Sequence, residues 1–74
     1  MNKQRREKIV HIMSFIEQFK GQLEDILDEE QDYYGNIPDN LLSCDRAEDS
    51  EEAIGVLEDT IDMLDTIIED LGAI

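Results

Sequence analysis

The sequence predicts an all-α fold, an antiparallel αα-hairpin of two long helices packed like a coiled coil, and three observations carry that prediction. Two acid-rich segments each hold a sustained 3,4 repeat of apolar residues. A short stretch containing the only proline separates them. The two repeats match residue for residue when the chain is folded back at Asn40. The chain of 74 residues holds one domain at most. It divides into a helix at about 3–34, a turn at 35–44 and a helix at about 45–72.

The first helix is read from Ile9, Ile12, Ile16, Phe19, Leu23, Ile26, Glu30 and Tyr33. Met13 and Leu27 widen this seam on one shoulder and Phe15 on the other. Asn2 is a candidate N-cap. The cations in the first turns oppose the helix dipole, so another group must offset them.

Gly35 is the expected left-handed C-cap, with Asn36 sharing the role. Pro38 cannot continue the helix but suits the start of a new turn through Asp39 and Asn40. Leu41 and Leu42 are expected to cap the core. Ser43 and Asp45 are candidate N-caps for the second helix, and Asp45 with Glu48 resembles a capping box.

The second seam is Ala47, Ser50, Ile54, Leu57, Ile61, Leu64, Ile68 and Leu71, with Ala53, Ile67 and Ile74 on its shoulder. Folding back at Asn40 pairs Ile9 with Leu71, Ile16 with Leu64, Phe19 with Ile61, and Glu30 with Ser50. This places Lys3, Arg5, Arg6 and Lys8 beside Glu69 and Asp70. Met13, Phe15, Leu27, Ile67 and Ile74 are left only partly covered. Two such hairpins forming a homodimeric four-helix bundle is the simplest further cover.

Net charge is −14, unevenly placed. Residues 1–20 carry +3 and residues 21–74 carry −17. The turn region 28–52 alone carries −9, with Arg46 its one cation. That balance argues against direct nucleic-acid binding, which replaces condensed counterions with protein cations. It argues equally against an anionic membrane surface. It suits a basic protein partner, because a single-sign field speeds encounter with the opposite sign.

Cys44 is the only cysteine, so no intrachain disulfide forms. With no secretory segment, a reducing cytoplasmic location is expected. No apolar run reaches the ~18 residues of a membrane span.

The search for chemistry predicts no enzyme, no metal and no cofactor. His11 is the one histidine and lacks zinc- or iron-site spacing. Asp28, Glu30 and Asp32 start like a calcium loop, but Tyr33 and Asp39 stand where glycine and glutamate are needed. Glu29 with Asp32, Glu48 with Glu51, and Asp62 with Asp65 have the spacing of acids in magnesium-dependent all-α nucleotide pyrophosphatases, which is kept as an alternative.

The candidate partner-binding residues are Asp28, Glu29, Asp32, Tyr34, Asp45, Glu48, Asp49, Glu51 and Glu52 around the turn. Glu58, Asp62 and Asp65 extend them along helix two. The plain alternative is a solvated face. Like charges at i and i+4 cost a few tenths of a kcal/mol each, and so few lysines relieve them that phosphate mimicry is the sharper reading. Tyr34, the freer of the two tyrosines, is the expected anchor.

Asp28-Glu29-Glu30-Gln31, Asn36-Ile37-Pro38-Asp39-Asn40-Leu41, Ser43 and Glu51-Glu52-Ala53-Ile54 resemble a group of small acidic proteins of phages and mobile elements in Firmicutes. In those, a similar stretch links two acidic helices. The resemblance spans roughly residues 20–70. It implies a helical hairpin, a phage-type origin, and an inhibitor that blocks a nucleic-acid-handling enzyme or a defence complex by mimicking DNA. It brings no active site.

Overall fold

The computed structural model describes residues 1–74. Helix α1 runs Lys3–Gly35, a single 3-10 turn spans Asp39–Leu41, and helix α2 runs Asp45–Gly72. The two long helices pack against each other as an extended hairpin of 59 × 15 × 13 Å.

The helix ends follow local chemistry, with three departures from expectation. Asn2 caps α1: its Oδ1 accepts from the Arg5 N–H at 2.9 Å. Gly35 is not left-handed; no residue has positive φ. The helix runs through it and ends at Asn36, whose φ of −93° is right-handed. Asn36 turns its N–H back to Asp32 and Tyr33, and its side-chain amide donates to the Asp32 carbonyl at 2.8 Å. That amide satisfies a helix-end carbonyl without a left-handed residue.

Pro38 begins the short turn as predicted, its carbonyl accepting from the Leu41 N–H at 2.8 Å. Cys44, not Ser43 or Asp45, then occupies the N-cap position of α2, with no side-chain cap bond. Asp45 is the first helical residue, so its expected box with Glu48 does not form. Both acids still sit in the first turn, where they favour the dipole. Leu41 and Leu42 are exposed and cap nothing, while Ile37 is half-buried.

The main correction is the rotation of α1. Its shielded residues are Ile9, Met13, Ile16, Lys20, Leu23, Leu27, Glu30 and Tyr34. This is a 3,4 repeat too, and it shares every second residue with the one expected. Ile12, Phe19, Ile26 and Tyr33 lie outside it, exposed by 52, 57, 49 and 46%. The seam of α2 is the predicted one.

The register is displaced with it. The Met13 side chain lies 3.5 Å from where a Cβ on Gly72 would be, and Lys20 pairs with Asp65. Both contacts sit about one helical turn beyond the expected pairing. Residues 1–8 are consequently all exposed. Lys3, Arg5, Arg6 and Lys8 make no ion pair, so the expected pairing with Glu69 and Asp70 is absent.

Only Ala47, Ser50 and Ile61 are buried. The Ser50 hydroxyl has no hydrogen-bond partner. An unpaired buried hydroxyl carries a desolvation penalty, and alanine is the better helix former. Ser50→Ala should therefore raise stability by about 1 kcal/mol, read as a higher urea midpoint at unchanged slope.

Candidate acidic interface

Helix α2 places its carboxylates on the flank beside its seam. Glu51, Glu58 and Asp65 recur every seventh residue, so they lie above one another. Asp62 and Glu69 stand one position further round. On α1 the matching flank holds Glu24 and the seam residue Lys20. These flanks meet on one broad face: Lys20, Glu24, Leu27, Glu58, Asp62 and Asp65 line a single shallow depression.

Lys20 is the one cation engaged there. Its Nζ pairs with Asp65 and lies 3.5 Å from Glu24. The hydrogen bond to Asp65 holds the Lys20 ammonium above its ordinary pKa, with smaller help from Glu24. Its stem runs along the apolar seam while the charge reaches the acidic flank.

Among the expected acids, only Asp65 is in an ion pair. Asp28, Glu29, Asp32, Asp45, Glu48, Asp49, Glu51, Glu52, Glu58 and Asp62 are exposed, and none is in an ion pair. Of these only Glu58 and Asp62 line a common depression. By helical spacing Asp28 follows Glu24 on the acidic flank, Asp32 and Glu52 lie on the outer sides of their helices, and Glu48 and Glu51 lie on the acidic side of α2. No group of three or more His, Cys, Asp or Glu side chains is arranged to hold a metal ion. Glu29 with Asp32 and Glu48 with Glu51 therefore stand as separate pairs on separate helices.

The tyrosines exchange the roles expected of them. Tyr34 follows the seam and is half-buried, whereas Tyr33 is the exposed one. Tyr33 lines a groove at the closed end with Asn36, Ile37, Leu41, Cys44 and Arg46. Arg46, the only cation at the acidic pole, lines the same groove and makes no ion pair.

So many unpaired carboxylates repel one another, and salt screens exposed charges over about 10 Å at 0.1 M. Raising sodium chloride from 20 mM to 0.5 M should raise the melting temperature by several degrees. A fall on adding salt would mean that the Lys20 pairs outweigh the repulsion. No helix is long and apolar enough to cross a membrane. No family model, curated protein or solved structure matches the chain.

Proposed function

We propose that the hairpin is an acidic protein-interaction module that covers the nucleic-acid-binding surface of a basic protein, its carboxylates standing in for phosphates. The observation that supports this best is the unneutralised state of the acids. Ion pairs are confined to Lys20, so the closed end and most of the acidic flank of α2 present carboxylates with their full capacity to accept from Arg and Lys. The likeness of the central stretch to phage and mobile-element proteins suggests the partner class: a nucleic-acid-handling enzyme or a defence complex.

Affinity capture with the full chain tests this. The recovered protein should be basic, should release the hairpin when duplex DNA is added, and should bind with a steep inverse dependence on salt. Joint substitution E48K, D49K, E51K and E52K takes the pole from −9 to −1 and should abolish capture while leaving helix content intact. Recovery of a partner whose binding ignores salt, DNA and this reversal would rule the reading out.

A further inference from the structure

The acidic flanks of α1 and α2 share one broad face, because Glu24, Glu58 and Asp62 line one depression with Lys20 between them. The opposite flanks must then share the opposite face. On α1 that flank is Ile12, Phe19, Ile26 and Tyr33, spaced by seven and all about half exposed. On α2 it holds Val56, Met63 and Ile67, exposed as well. One side of the hairpin is therefore acidic, and the other carries an apolar stripe over its middle, with Asp49 and Asp70 ending the α2 row of Val56 and Met63.

We infer that this apolar face is the interface of an antiparallel homodimer, in which a second copy lies with its closed end over the first copy's open end. Three observations select this occupant and this direction.

The first is area. The hairpin exposes 5730 Å². A folded monomer of its 8.5 kDa mass exposes about 4,700 Å². The excess of roughly 1,000 Å² exceeds the ~800 Å² that each partner gives to a stable protein interface. The rod shape raises exposure, and pairing two rods along their apolar faces lowers it.

The second is register. A two-fold axis at the level of Gln22 and Leu23 lays α1 antiparallel on α1 of the second copy. It sets Phe19 against Ile26 and Ile12 against Tyr33 of that copy. The same axis passes α2 near Ile61, which lies level with Leu23 in the displaced register. There it brings Met63 against Thr60, and Ile67 against Val56, of the second copy. One axis thus pairs apolar with apolar on α1 and Ile67 with Val56 on α2, while Met63 meets Thr60, whose hydroxyl is already bonded to the Val56 carbonyl of its own helix.

The third is charge. Lys3, Arg5, Arg6 and Lys8 lie at the open end, with Arg6 beside Leu71 and Gly72, and form no ion pair in their own chain. The antiparallel arrangement carries them over the turn of the second copy, at Asp39, within its acidic pole. A parallel arrangement would instead place two poles of −9 side by side.

The apolar face and the acidic face are different surfaces, so loss of dimerisation leaves the acids exposed and loss of partner binding leaves the dimer whole. Sedimentation equilibrium of the full chain at 5–200 μM, in 0.15 M salt, should give twice the chain mass. Phe19→Glu should weaken the dimer on the order of 100-fold, because a charge then sits in the interface of both copies. Its circular dichroism should stay helical, since Phe19 is exposed in the single hairpin. A spin label on the native Cys44 reports direction. The two labels should lie about 50 Å apart when the closed ends are at opposite poles. A monomer at 200 μM overturns the inference. So does a dimer indifferent to Phe19→Glu, or one whose labels lie within about 25 Å.

Discussion

Ile61→Ala should destabilise the hairpin by about 2–4 kcal/mol, enough to leave much of the chain unfolded in moderate urea. Ile61 is the only large apolar side chain that is buried, at 8% exposure. It sits mid-way along α2, against the level of Leu23, where neither helix end can relax into the space. A chain of this length has about 4–11 kcal/mol of stability to lose, and one with three buried residues belongs at the lower end. The expected result is a melting temperature lower by on the order of 15 °C at fixed protein concentration. Val56→Ala removes a side chain of similar chemistry that is exposed, and should cost no more than about 0.5 kcal/mol in the separated hairpin. Equal losses at the two positions would mean that Ile61 is not the centre of the core.

Ala47→Leu should be nearly as damaging for the opposite reason. Ala47 is completely buried in the first turn of α2, where the returning chain enters the helix. Three extra carbons have no space there, and overpacking costs about 1–3 kcal/mol. The strain falls on the closed end, so amide exchange should speed up at Ile37 to Cys44 while the middle of α1 keeps its protection. A leucine tolerated without change in melting temperature or exchange would show that the closed end is loosely packed.

The sequence defines the two helices to within a residue or so, because length, period and the Asn36–Pro38 break agree with one another. It does not define how α1 is rotated. Apolar residues stand beside the seam as well as on it, so two 3,4 repeats overlap through Ile9, Ile16 and Leu23. Hydropathy favours the repeat with Ile12, Phe19, Ile26 and Tyr33. The fold uses the one with Met13, Lys20, Leu27 and Tyr34. Lysine reads as a surface residue, yet its stem is apolar and its amine finds Asp65 on the flank. The same rotation exchanged Tyr33 and Tyr34 and carried the basic end past Glu69 and Asp70. The exposure of the acids was legible, since a carboxylate far from the seam stays in water under either rotation.

The 59 Å length of the hairpin has a consequence for how closely it can imitate a nucleic acid. Fourteen net negative charges over that length amount to one per about 4 Å, against one per ~1.7 Å of duplex DNA. A single hairpin is thus less than half as dense in charge as the polymer it would have to displace. Two copies overlaid along the same axis hold one charge per about 2 Å, close to the duplex value. Paired, the rod would match DNA in linear charge density; alone it would compete as a much weaker polyanion.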